Sequence, residues 1–213
     1  MNMPRRTPGE WVRIICDLIL VDVLWLICSL PIITIGASTA ALHSVVRKMA
    51  ACEYYTVWGG FWHGFRENWK QGTAVFLIVS LVLGISWFDL TTGLRSPGLT
   101  GITFQIVGVL GLIGGVFILS LAFPVLTRYR LPLKTVLKNA VLLSFANPHI
   151  VLAGLAAAAL FPALGWLNIN LLIIAFPGEL LLGAGLPALT QQLLLQKVYA
   201  QLEADQTANK SNP

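Results

Sequence analysis

Charge is what this chain has least of. Only 11% of its 213 residues are Asp, Glu, Lys or Arg, against ~25% in an ordinary soluble domain, so a water-soluble globular protein is excluded. Cysteine is scarce as well. Cys16, Cys28 and Cys52 are an odd number without metal-ligand spacing, which removes a disulfide framework and a zinc cluster and leaves small apolar packing residues. No Gly-rich phosphate loop of the Walker type and no His-Glu-x-x-His segment occurs. His43, His63 and His149 are scattered, and no Ser or Thr has a His/Asp partner in a recognisable pattern. No catalytic residue, metal or cofactor is therefore assigned, and the chain is read as a non-enzyme. Alternating ten-residue strands, the mark of an outer-membrane barrel, are absent too.

What fills the chain instead is apolar: 56% of residues are hydrophobic and the mean hydropathy is +0.78. The uncharged stretches 23–46, 71–88, 96–127 and 139–178 are each near or beyond the ~20 residues that cross a hydrocarbon core as helix. The composition predicts an all-α fold, a polytopic transmembrane helical bundle of about five spans with amphipathic interfacial helices. Arg5, Arg6 and Arg13 ahead of an apolar run imitate a signal peptide. Asp17 and Asp22 interrupt that run, and it outlasts the 7–15 residues of a signal h-region, so it reads as a retained first span. The organisation predicted is a polar segment over 1–13, one membrane domain over 14–203 and a disordered tail over 204–213.

Span 1 is expected over 14–36, span 2 over 73–90, span 3 over 101–126, span 4 over 150–167 and span 5 over 171–190, with Pro177-Gly178 breaking or kinking the last. A tight turn around Asn168 and Asn170 joins spans 4 and 5. Between spans 1 and 2 lie a polar helix over 39–51, carrying His43, Arg47 and Lys48, and an aromatic stripe. Tyr54, Trp58, Phe61, Trp62, Phe65 and Trp69 recur at spacings of three and four, the pattern of a helix lying in the interface plane with its rings at headgroup level. Gly111-x-x-x-Gly115, extended by Gly108, marks a small face on span 3 for close helix packing, within the chain or in a homo-oligomer.

Pro31-Ile-Ile-Thr34, Pro124-Val-Leu-Thr127 and Pro187-Ala-Leu-Thr190 share one pattern at the ends of odd-numbered spans. Proline ends or bends the span, and the threonine hydroxyl can take up a freed backbone group. With five spans the 14 cations divide into four on one side (Arg5, Arg6, Arg13, Arg95) and ten on the other. The ten-cation side should be cytoplasmic, which puts the C-terminus inside the cell. This division leaves three arginines on an outer N-terminus. The cations flank apolar runs, so the net charge of +5 points to lipid and not to nucleic acid.

Two acids stand inside apolar runs. Asp22 and Glu179 are the candidates for a substrate or ion role, because a carboxylate at membrane depth costs roughly 2.5–3.5 kcal/mol on insertion scales; a neutral acid bonded within the bundle is the structural alternative. Ser29 shares a helical face with Asp22, which should point inward, and Gln105 is a possible partner. Arg128, Arg130, Lys134 and Lys138 line a basic connector over 127–140 and are the candidate contact to a protein partner.

Leu24-Trp25, Ser29-Leu30-Pro31, Thr34-Ile35-Gly36 and Ala40-Ala41-Leu42 resemble the YesL-like family of bacterial membrane proteins. So do Phe61-Trp-His-Gly-Phe65-Arg-Glu-Asn-Trp-Lys-Gln71, Phe123-Pro124 with Arg128, and Leu137-Lys138-Asn139-Ala140. This chain departs from such proteins at Ala37, where proline is frequent, and at His43, where an aromatic is usual. The resemblance implies no catalytic residues. It implies a link to carbohydrate uptake and to subunits of ATP-binding-cassette (ABC) transporters, although the connector lacks the Glu-Ala-Ala...Gly signature of permease coupling loops. An accessory or permease-like component is the reading; a membrane scaffold or sensor is the alternative.

Overall fold

Pro31 does more than end a span. In the computed structural model, which describes residues 8–129, 131–167 and 171–210 and the side chains between 9 and 201 within those limits, it turns the chain back on itself. Helix α1 (Pro8–Ser29) stops before it. A 3-10 turn, Ile32–Thr34, follows, and α2 (Ile35–Ala50) then runs antiparallel to α1. Near the turn, Ser29 and Ser38 hydroxyls lie 2.6 Å apart and Trp25 Nε1 donates to Thr39 Oγ1 at 3.0 Å. At the far end, Tyr55 donates its hydroxyl to the Asp17 carboxylate at 2.6 Å, and Arg13 Nε lies 3.7 Å from the same oxygen. Thr34 Oγ1 donates to the carbonyls of Cys28, at 2.6 Å, and Pro31, at 2.7 Å, as the proline–threonine pattern predicts.

This hairpin corrects the expected topology. The start of α1 sits at the same end as the α2–α3 connection, not across the molecule from Arg47 and Lys48. Nor is α2 a polar surface helix: eleven of its sixteen residues are buried. The cause is its run of small side chains, Ala37, Ser38, Ala40 and Ala41, which lets neighbouring backbones close in.

Helix α3 (Val57–Arg95) is 39 residues long and unbroken, about 58 Å at 1.5 Å per residue. From Trp58 onward the aromatic stripe is its first four turns, not a separate helix, while Tyr54 lies in the connection before it. Phe61 is fully buried, whereas Trp58 and Trp69 face outward. Gly72, inside this helix, packs against α2. A Cβ built on Gly36 would overlap the Gly72 carbonyl, and one on Gly64 would meet Ser44. The second half of α3 pairs with α4 (Gly98–Arg128). There a Cβ on Gly108 would lie 2.7 Å from the Leu90 nitrogen, one on Gly111 would overlap Ser86 Oγ, and one on Gly115 would lie 2.6 Å from Leu83. The small face of span 3 is thus used within the chain.

Helix α5 (Leu133–Ala146) folds back along α4, with Ser144 Oγ donating to the Phe117 carbonyl at 2.8 Å. Helices α6 (Pro148–Leu167), α7 (Leu172–Leu182) and α8 (Gly185–Lys210) complete the described chain, which contains no strand. Gln191 of α8 fills the space beside Gly154 and donates to Ser120 Oγ at 2.6 Å, while Ile150 and Leu195 share a buried cluster with Leu121. The turn expected around Asn168 and Asn170 lies outside the described residues.

Three helices, α3, α4 and α6, are long and apolar enough to cross a membrane, and α7 with α8, bent by 57°, form a fourth candidate. Helix α1, read as span 1, is not among them; Arg13, Asp17 and Asp22 lie within it. Helix α7 runs through Pro177, and the interruption falls at residues 183–184 instead, where a Cβ on Gly183 would collide with the Glu179 carbonyl. Pro124 sits inside α4 and Pro187 in the first turn of α8, so only Pro31 marks the end of a helix. Helix α8 spans Gly185–Lys210, which takes in part of the 204–213 stretch expected as a disordered tail.

Candidate functional site

Asp22 is the most buried acid of the molecule's described side chains, 1% exposed on the inner face of α1. It is not paired with Gln105, which donates instead to the Gly93 carbonyl at 3.0 Å. Its partner is a backbone. Gly185 N, at the start of α8, donates to Asp22 Oδ2 at 3.0 Å, and the Ala184 amide is directed at the same carboxylate. The first amides of a helix have no intrahelical acceptor, and their partial positive charge favours an anion. The interruption before α8 therefore creates the donors that a carboxylate at this depth requires. Asp22 Oδ1, in contrast, is buried without a hydrogen-bond partner.

Glu179 arrives at the same place from the other side of the bend. It lies one turn before Gly183, and a Cβ built on Gly183 would stand 2.9 Å from Glu179 Oε1. A Cβ on Gly185 would stand 3.0 and 3.2 Å from the two Asp22 oxygens. Glycines at 183 and 185 thus leave room for both carboxylates around the bend, and the two acids are within electrostatic reach of each other. The sequence singled out both acids; the structure brings them together. It also supplies what sequence reasoning missed, the Gly183–Gly185 interruption. The glycine pair was the available signal, but Pro177 nearby was the stronger-looking breaker.

Chemically, the arrangement can hold a proton or a small cation, or orient a polar solute, between the start of α8 with the buried Asp22 and the exposed Glu179 carboxylate. Among the described residues no group of three or more His, Cys, Asp or Glu side chains could hold a metal ion. Ser29, on the Asp22 face, is used at the hairpin turn. His43, standing where an aromatic was expected, behaves as one: it is buried and stacks on Phe123 at 6.1 Å with planes 9° apart.

The basic connector resolves into separate parts. Arg128 ends α4 with its guanidinium 4.2 Å over the Tyr199 ring. Lys134 and Lys138 are exposed on α5, and Arg130 lies outside the described residues.

A family profile described as a protein of unknown function, DUF624, matches residues 18–90. The match covers α1 from Leu18, the hairpin and α3 to Leu90, and so includes Asp22 but not α7 or α8. No curated protein and no solved structure matches the chain.

Proposed function

We propose that this protein is a non-enzymatic, multi-pass component of the bacterial cell membrane that acts as an accessory or permease-like part of ABC-type carbohydrate uptake. The observation that carries the reading is the Asp22 carboxylate on the first amides of α8 at the α7–α8 interruption. In membrane transporters, interrupted helices present their free ends to solutes and coupling ions. The carbohydrate link rests on the YesL-like resemblance, and Lys134 and Lys138, exposed on α5, are the contact offered to a partner subunit.

The same reading sets the orientation. Helices α3, α4, α6 and the α7–α8 pair make four crossings, and the α1–α2 hairpin enters and leaves from the side of Arg13, Arg47 and Lys48. Both termini are then cytoplasmic, and the charge cost of an outer, arginine-rich N-terminus disappears. Among the described cations, Arg95 alone then faces out.

Uptake of labelled sugars in a deletion strain tests the function. Wild-type protein should restore uptake of at least one sugar. Asp22→Leu, at equal membrane abundance, should restore little of it. Cross-linking from Lys134 and Lys138 should capture an ABC ATPase or permease subunit. A deletion without effect on any sugar, with only self-cross-links, would sink this reading and favour a scaffold or sensor, for which the outward-facing Trp58 and Trp69 supply interfacial anchors.

A further inference from the structure

One cavity of the described structure lies away from the acids. It lies between α5 and the later turns of α8, beneath the last residues of α4, with a volume of about 600 Å³. Val125, Leu142, Leu143 and Val198 give it apolar walls, and Asn139, Asn147 and Tyr199 give it a few polar points. It opens to the outside, since Leu142 is 58% exposed. Tyr199 is buried, and its hydroxyl has no hydrogen-bond partner. Pockets of ~300–1,000 Å³ with apolar walls and few convergent polar groups are the usual form of a ligand site.

The charge on the α4–α5 side of this cavity has one sign. Between Thr127 and Asn147 the chain has Arg128, Arg130, Lys134 and Lys138 and not one acid. Arg128 is held at the cavity's edge, over the Tyr199 ring. Apolar walls with a cationic rim do not suit a sugar, which needs polar partners along its whole length. They suit an amphiphile with an anionic head, the chemistry that basic pockets between helices recognise on the cytoplasmic face of a bilayer.

We propose that this groove binds one anionic phospholipid, with an acyl chain laid against Val125, Leu142 and Leu143 and the phosphate at the Arg128 end, within reach of Asn139 and Lys138. This site is independent of the Asp22 reading and stands if that reading fails.

Native mass spectrometry of the full chain in detergent, titrated with phosphatidylglycerol or phosphatidylcholine, tests it. The wild type should hold one phosphatidylglycerol about tenfold or more tightly than phosphatidylcholine, the effect of two cations beside an anionic head. Ala146→Trp, which fills the groove, should abolish that tight adduct. The double variant Arg128→Gln with Lys138→Gln should bind both lipids alike. A photoreactive acyl chain on phosphatidylglycerol should label wild-type peptides within 139–147 and 195–201, which keeps the test open if Ala146→Trp does not fold. Equal binding of the two lipids by the wild type, labelling confined to other helices, or an adduct displaced by millimolar inorganic phosphate or glucose would overturn the proposal. So would a phosphatidylglycerol adduct that survives in folded Ala146→Trp.

Discussion

Asp22 contributes to the fold whether or not it handles a solute. Its carboxylate accepts from Gly185 N at 3.0 Å in a buried position, and a hydrogen bond with a charged partner contributes roughly 1.5–3 kcal/mol. Asp22→Leu removes the acceptor and leaves the amide bare. Unfolding in detergent by a graded denaturant should show a loss of about 1–3 kcal/mol. Asp22→Asn keeps an acceptor oxygen of the same reach and should lose less. Equal losses in the two variants would mean that packing around Leu18 and Val21, not the hydrogen bond, sets the stability. The acid's position in an apolar run was legible as an anomaly. Its partner was not, because Gly185 lies 163 residues further along the chain and carries no side chain for a pattern to reveal.

Between elements, glycine decides how closely helices approach. Gly36 and Gly84 make the contrast clear. A Cβ on Gly36 would overlap the Gly72 carbonyl, whereas one on Gly84 meets nothing within 4 Å. Gly36→Ala should therefore push α2 off α3 and cost several times what Gly84→Ala costs. The latter should be within about 1 kcal/mol of the wild type, on the favourable side for a residue inside a helix. Thermal melting of the two purified variants, each compared with wild type, measures the difference; similar melting would show that the α2–α3 contact yields easily. The hairpin of α1 and α2 follows from the same small residues. Sequence periodicity showed a helix on each side of Pro31 but not whether the second returns along the first, since that depends on which surface of α2 finds a close-packed neighbour.

At the scale of the whole molecule, the hairpin removes α1 from the candidate crossings, and the proposed reading, with α7–α8 as one bent span, then has an even count of four. The open end of the hairpin gathers Arg13, Tyr55 and Asp17 beside the end of α2 that carries Arg47 and Lys48. Exposed Cys52 lies in the connection after α2 and serves as a native reporter. In intact cells a membrane-impermeant maleimide should leave Cys52 unlabelled and should label an Arg95→Cys variant with Cys16, Cys28 and Cys52 replaced. Permeabilised cells should show labelling at both positions. Labelling of Cys52 from outside would reverse the orientation, and labelling at both positions from outside would dismantle the even count.

Lipid as the solvent, helix as the secondary structure and the two acids as exceptions all came from local composition, because a span must satisfy its backbone hydrogen bonds within itself and so leaves its trace in one contiguous run. The proline–threonine turn after α1 was equally local and equally legible. Direction and partnership were not. Whether α2 returns along α1, which glycines face which backbone, and how the start of α8 reaches Asp22 are settled by contacts between distant segments. Those contacts are made by the residues with the least chemistry to display, glycine, alanine and the backbone itself. Only the tertiary structure could decide them.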